Sequence, residues 1–193
     1  MSNPVKSILL AGVGGQGTLL ASEVLSEVLM QAGFDVKKSE IHGMSQRGGS
    51  VTSHVRWGEK VFSPLIPEGE ADILFGFELL ETYRYLDMLK PGGQVVVNSL
   101  KIAPAPVAMG VAEYPEGIPG KIAEKAETLL VEGMDLALQA GNYRTVNTVL
   151  LGALSQRMEI APELWQKALE KLVPARFLQE NLKAFELGRA CKG

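Results

Sequence analysis

The sequence predicts an α/β fold: a Rossmann-like, mostly parallel sheet with a hairpin excursion and a helical C-terminal part, formed as one domain over residues 1–193. Three observations lead there. Short apolar runs of strand length alternate with segments whose apolar positions recur at helical spacing. A glycine-rich turn, GVGGQG (Gly12 to Gly17), sits at the first junction between the two kinds of segment. Beyond Ser99 the alternation gives way to prolines and helix-period segments.

Val5 to Ala11 (VKSILLA) reads as a buried strand that ends on Gly12. After Gly17 the apolar positions Leu20, Ala21, Val24, Leu25, Val28 and Leu29 define a helix, and Gly33 stops it. Asp35 to Ser39 gives a second strand ending on Glu40, so the first unit reads as β-α-β with parallel strands. Val51 to Trp57 alternates, with Val51, Val55 and Trp57 on one face and His54 and Arg56 on the other. Gly58-Glu59 fits a two-residue turn into Lys60 to Ser63, which predicts a hairpin there. Ala71 to Glu78 is a buried strand, Leu79 to Leu89 a helix, Pro91-Gly92-Gly93 a turn and Gln94 to Asn98 a further strand. Glu78 and Asn98 close strands and read as caps of a helix or turn. Three helices follow, Tyr143 to Met158, Pro162 to Leu172 and Ala175 to Arg189. The first is apolar nearly all round, which predicts burial. Asn147 within it reads either as a satisfied core amide or as a residue facing a ligand or interface.

The composition narrows the function. A formal net charge of −3 without a basic run offers no footprint for nucleic acid or an anionic membrane. One cysteine, Cys191, and two histidines leave no disulfide framework and no cysteine-rich zinc or iron-sulfur site within the chain. The opening MSNPVKS lacks a basic segment followed by a long apolar one, and no apolar run reaches membrane length. The expectation is a soluble, cytoplasmic protein with no metal of its own.

In a glycine turn of this kind Gly12 permits the tight turn, Gly14 lets the backbone approach a phosphate, and Gly17 lets helix pack on strand. Free N–H groups at the helix start, around Gly15, Gln16 and Thr18, favour an anion. Glu40 stands where a dinucleotide fold places an acid for a ribose hydroxyl. A second glycine-rich stretch, HGMSQRGGS, places His42, Ser45, Gln46, Arg47, Gly48, Gly49 and Ser50 just past the second strand. Glycines give backbone access there, and Arg47 offers a forked cationic donor. The plainer reading is a polar surface loop whose Arg47 is solvated or paired with Glu40 or Glu59.

GVGGQG, then SEIHGMSQRGGSVTSHVRWG, then FSPLIPEGEADILFGFELLETYRYLDMLKPGGQVVVNS resembles the gamma domain of the 2-oxoacid:ferredoxin oxidoreductases. The likeness is dense from Val5 to Ser99, loose from Leu100 to Ala140, and resumes at GNYRTVNTVLLGALS and VPARFLQENLKAFELGRA. QRGGS is its specific element. The resemblance implies oxidative decarboxylation of a 2-oxoacid to an acyl-coenzyme A with reduction of ferredoxin. The chain lacks a Gly-Asp-Gly followed by Asn for thiamine diphosphate and magnesium, and it lacks a C-x-x-C pair. It is therefore expected to be a non-autonomous small subunit whose larger partner carries thiamine diphosphate, Mg and 4Fe-4S clusters. Indolepyruvate or another arylpyruvate is the implied substrate class. A gamma subunit acting on pyruvate, 2-oxoglutarate or a branched-chain oxoacid stays open, as does a stand-alone NAD- or flavin-binding module. Gly12 to Thr18 and His42 to Ser50 would form a wall facing the thiamine and coenzyme A region. None of them is a clear acid or nucleophile.

Overall fold

The computed structural model describes residues 4–42 and 49–192. Its six strands are β1 (Lys6–Val13), β2 (Asp35–His42), β3 (Ser50–Gly58), β4 (Ala71–Gly76), β5 (Leu89–Asn98) and β6 (Glu127–Val131). They form one sheet in the order β2-β3-β1-β4-β5-β6. β1, β4, β5 and β6 are parallel, and β3 runs antiparallel to β1 and β2 on either side of it. β1 and β4 are near-continuous apolar runs because both faces are covered.

Alternate residues of β1 serve two cores. Ile8 and Leu10 pack with Val55, Trp57, Phe75 and Val96 beneath α1 (Thr18–Gln31). Leu9 and Ala11 pack with Leu74, Val95 and Val97 on the opposite face. That second face is covered by α2 (Leu79–Arg84) and, past the short α3 (Ala105–Ala108), by α4 (Ile118–Ala123). The first face also receives α5 (Gly133–Ala140), α6 (Val146–Ser155), α7 (Pro162–Leu172) and α8 (Leu178–Arg189). Residues Asn147 to Ser155 of α6 are all buried, as the all-round apolar pattern predicts. α6 meets α8 at two glycines: a Cβ at Gly152 would lie 2.1 Å from the Phe185 carbonyl oxygen, and one at Gly188 would lie 1.9 Å from that of Val149. The absence of a side chain at both positions sets how closely the helices approach.

Several expectations are corrected. β1 and β2 point the same way but are not neighbours, because β3 lies between them. The hairpin is β2–β3, and Lys60 to Ser63 is not a strand. The reason is side-chain anchoring: Asp35 accepts from the Val61 amide at 2.9 Å, and Arg56 donates to the carbonyls of Ser63 and Leu65 at 3.3 and 2.9 Å. The segment is thereby tied down by single contacts instead of a ladder. Beside this segment His54 is a buried, hydrogen-bonded strand residue, its Nδ1 accepting from the Ile66 amide at 3.1 Å. β1 runs on through Val13 because β3 supplies partners for Gly12 and Val13. The helix after β4 stops at Arg84, and a 3-10 turn (Leu86–Met88) leads into β5. Pro91 to Gly93 bulge within β5, where the register jumps between Ala71 and Ile73. The last helices open as 3-10 turns, Tyr143–Thr145 before α6 and Ala175–Phe177 before α8.

Candidate functional site

Crossovers put the carboxyl ends of β1, β4, β5 and β6 on one edge, where open α/β sheets hold ligands. β1 reaches this edge at Val13, and the chain turns there, the Gln16 amide donating to the Val13 carbonyl at 3.2 Å. The Gln16 side chain folds back: Oε1 accepts from the Val13 amide at 2.6 Å, and Nε2 donates to the Phe77 carbonyl at 3.0 Å. It thus ties the end of β1 to the residue after β4. Gly12 is extended strand, and the turn lies beyond it. A Cβ at Gly12 would come within 2.9 Å of both Gln16 Oε1 and Phe77 Cβ, so this glycine serves close approach.

The Gly14 amide donates to the Gly49 carbonyl at 2.9 Å. This bond joins the two glycine-rich stretches, and in the next register Val13 pairs with Ser50. Ser50 Oγ stands 3.3 Å from the Tyr85 hydroxyl. Ser45, Gln46, Arg47 and Gly48, with the side chain of His42, lie outside the described residues.

Gly15 and Gly17 have φ of 102° and 79°, and Gly17 is the N-cap of α1. Among the described residues no side chain caps this helix, so its first amides have no side-chain partner there. Gly17 packs on α6 instead of the sheet: an added Cβ would lie 2.8 Å from Asn147 Nδ2. Asn147 is 7% exposed, its Oδ1 accepts from the Thr148 amide at 3.0 Å, and its Nδ2 has no acceptor among the described residues. Thr18 is buried beside this contact. A cavity of about 140 Å³ adjoins Asn147, lined in part by Leu20, Thr145, Phe177 and Asn181.

Glu40 does not stand beside β1. Its carboxylate pairs with Lys38 at 2.8 Å and accepts from Ser22 Oγ at 3.3 Å, with β3 between it and β1. A dinucleotide fold has its acid one strand nearer, about 5 Å.

Two further residues fasten this edge. Glu78, 1% exposed, caps α2 by accepting from the Glu81 amide at 2.8 Å. Its Oε1 also accepts from the Ile102 amide at 3.0 Å and the Tyr114 hydroxyl at 2.6 Å. Asn98 accepts from the Gly133 amide at 3.2 Å and donates to the Phe77 carbonyl at 3.3 Å. Glu78 caps, as the sequence suggests, while Asn98 links the end of β5 to the start of α5. A larger cavity, about 300 Å³, opens at the opposite edge between Lys6, Trp57, Asp72, Lys90 and Arg157. Among the described residues, no group of three or more His, Cys, Asp or Glu side chains is placed to hold a metal ion. Among them also, no helix is long and apolar enough to cross a membrane.

The chain is similar to known proteins along nearly its whole length. Over 188 residues the chain is 42% identical to "Indolepyruvate oxidoreductase subunit IorB" of Thermococcus kodakarensis, covering 94% of this chain and 93% of that one. The gamma subunit of a keto/oxoacid ferredoxin oxidoreductase from Geobacter sulfurreducens superposes with a TM-score of 0.71 at 25% identity, with 95% of each chain covered. A 2-oxoglutarate:ferredoxin oxidoreductase from Magnetococcus marinus, solved with 2-oxoglutarate, coenzyme A and succinyl-CoA, superposes with a TM-score of 0.74 at 23% identity. There the fold spans 96% of this chain and 30% of the longer one. A family model described as pyruvate ferredoxin/flavodoxin oxidoreductase matches residues 7–191, from the start of β1 through the end of α8. By that match and by these relatives, the chain belongs to the pyruvate ferredoxin/flavodoxin oxidoreductase family.

Proposed function

We propose that this chain is the small subunit of an indolepyruvate, or closely similar arylpyruvate, ferredoxin oxidoreductase. It completes the site in which a 2-oxoacid, coenzyme A and oxidised ferredoxin become acyl-coenzyme A, carbon dioxide, a proton and reduced ferredoxin. The subunit identity rests on the 42% match along nearly the whole chain. The site reading rests on one observation, the Gly14–Gly49 hydrogen bond, which brings Gly49 and Ser50, the end of the second glycine-rich stretch, to the end of β1 near the start of α1.

Thiamine diphosphate and iron-sulfur clusters, held by a larger subunit, supply decarboxylation and electron transfer. One cysteine in this chain leaves it without the ligands for a cluster. Its own residues bind and shield. The amide of Gly14 is committed to Gly49, which leaves the first amides of α1 for an anion at this edge, and Arg47 is the cationic donor proposed to join them. A phosphate of coenzyme A is the anion this wall suits. Gly15 leaves room for it, since a Cβ there would touch nothing within 4 Å. The stand-alone dinucleotide reading finds no support in Glu40, whose carboxylate is taken by Lys38 and Ser22.

Coexpressed with its larger subunit, the chain should elute as one complex from gel filtration. That complex should reduce ferredoxin or viologen with indolepyruvate and coenzyme A faster than with pyruvate or 2-oxoglutarate. The purified chain alone should reduce neither. Viologen reduction by the chain alone, or persistent separate elution of the two subunits, would contradict the proposal.

A further inference from the structure

We infer that residues 103–112, APAPVAMGVA, form a preorganised docking arm that seats against the larger subunit; this rests on the proposed function above. The stretch holds ten consecutive residues without one charged or hydrogen-bonding side chain. None of them is buried, and Met109 and Val111 are 70% and 78% exposed. Lys101 precedes it and Glu113 follows it, so an apolar centre has a charged rim, the anatomy of a protein interface.

The arm is ordered by its own backbone. Pro104 O accepts from the amides of Val107 and Ala108, both at 2.9 Å. Pro106 O accepts from those of Val111 and Ala112 at 2.9 and 3.2 Å. Its two feet are held by a single buried oxygen, Glu78 Oε1, which accepts from the Ile102 amide on one side and the Tyr114 hydroxyl on the other. Burial and the adjacent Glu78 carboxylate push the Tyr114 hydroxyl well above the usual phenol range, so it stays a donor. A loop closed at its base in this way loses little freedom on binding.

Position selects the occupant. The Ser99 amide donates to Val131 O and the Leu79 amide to Leu100 O, so the arm springs from the carboxyl ends of β5 and β6. That is the edge of the glycine turn, two strands or about 10 Å across the sheet from β1. A second copy of this chain, docked arm to arm, would set carboxyl edge against carboxyl edge. A larger subunit that reaches this edge to complete a composite site covers the arm and uses the turn.

The test replaces Met109 with cysteine in a Cys191→Ser background and follows maleimide labelling of the full chain, alone and in the purified complex. A control cysteine at exposed Glu163, on α7, reports general reactivity. Met109→Cys should label at least tenfold more slowly in the complex, and the Glu163→Cys control equally fast in both. In parallel, Met109→Asp with Val111→Asp should weaken copurification tenfold or more without moving the melting temperature of the isolated chain. Equal labelling at Met109→Cys in an active complex overturns the arm and leaves the subunit reading standing. Concentration-dependent protection of the isolated chain assigns the arm to a second copy and also overturns it. Failure of any larger subunit to coelute with the wild-type chain overturns both.

Discussion

The amide of Gly14 and the carbonyl of Gly49 meet at 2.9 Å, so the turn that ends β1 is joined to the residue that leads into β3. The contact is possible because β3 lies directly beside β1, with Gly12 opposite Val51 and Val13 opposite Ser50. Had β2 occupied that place, as in a simple β-α-β unit, the second glycine-rich stretch would end one strand further away.

Gly17 is held from two sides. Its φ of 79° is a left-handed conformation, and Asn147 stands where a side chain would go. Gly17→Ala should cost about 1–3 kcal/mol through backbone strain alone, and the contact with Asn147 adds to it. For a chain of this size that lowers the melting temperature by several degrees. Thermal melts of the single and double variants check it: in an Asn147→Ala background the same substitution should cost less, because only the strain remains.

The crossing of α6 and α8 should be equally intolerant. Gly152→Ala or Gly188→Ala drives a methyl group into a backbone carbonyl, which no side-chain rotation relieves. Overpacking of this kind costs about 1–3 kcal/mol and occasionally more. Urea midpoints should fall for both, while Gly69→Ala, at an open turn, costs only its local strain.

His54 gives the fold a dependence on pH. Burial holds its imidazole below the ordinary value, and Nδ1 must stay unprotonated to accept from Ile66. A folded pKa below the unfolded one, near 6.5, means that this contribution is complete above pH 6.5 and is lost as pH falls beneath it. The loss can be no steeper than about 1.4 kcal/mol per pH unit. His54→Asn keeps an acceptor near the Nδ1 position and removes the titration. Between pH 7 and pH 5 the urea midpoint of the variant should therefore fall less than that of the wild-type chain.

What the sequence made legible was local. The strand, glycine turn and helix from Lys6 to Gln31 announce themselves by period and by Gly17, and α7 begins at Pro162 and ends at Leu172 as its pattern predicts. Strand order was not legible, because β3, besides its hairpin with β2, pairs with β1 from much earlier in the chain. Its polar positions gave no sign of their partners: His54 and Arg56 are engaged by an amide and carbonyls between Ser63 and Ile66. β6 and the helices between Ser99 and Gly141 went unread, since a five-residue strand and an apolar arm that packs on no core carry no clear period. In the site, Gly12 to Thr18, Gly49 and Ser50 come together, while Glu40 is drawn off to Lys38. Tyr85 gave no signal at all. Asn147 did, as an amide within an apolar helix, but its contact with Gly17 depends on how α6 meets α1.

The most direct measurement concerns Arg47, in the HGMSQRGGS stretch whose Gly49 is tied to Gly14. A charge-assisted hydrogen bond from a guanidinium to an anion is worth roughly 1.5–3 kcal/mol, about ten- to a hundredfold in binding. In the assembled complex, Arg47→Ala should raise the Michaelis constant for coenzyme A about tenfold or more while thiamine diphosphate binding and complex formation persist. Arg47→Lys, which keeps the charge and loses the fork, should recover only part of that loss. An unchanged dependence on coenzyme A, with assembly intact, would contradict the account and leave HGMSQRGGS a polar surface turn.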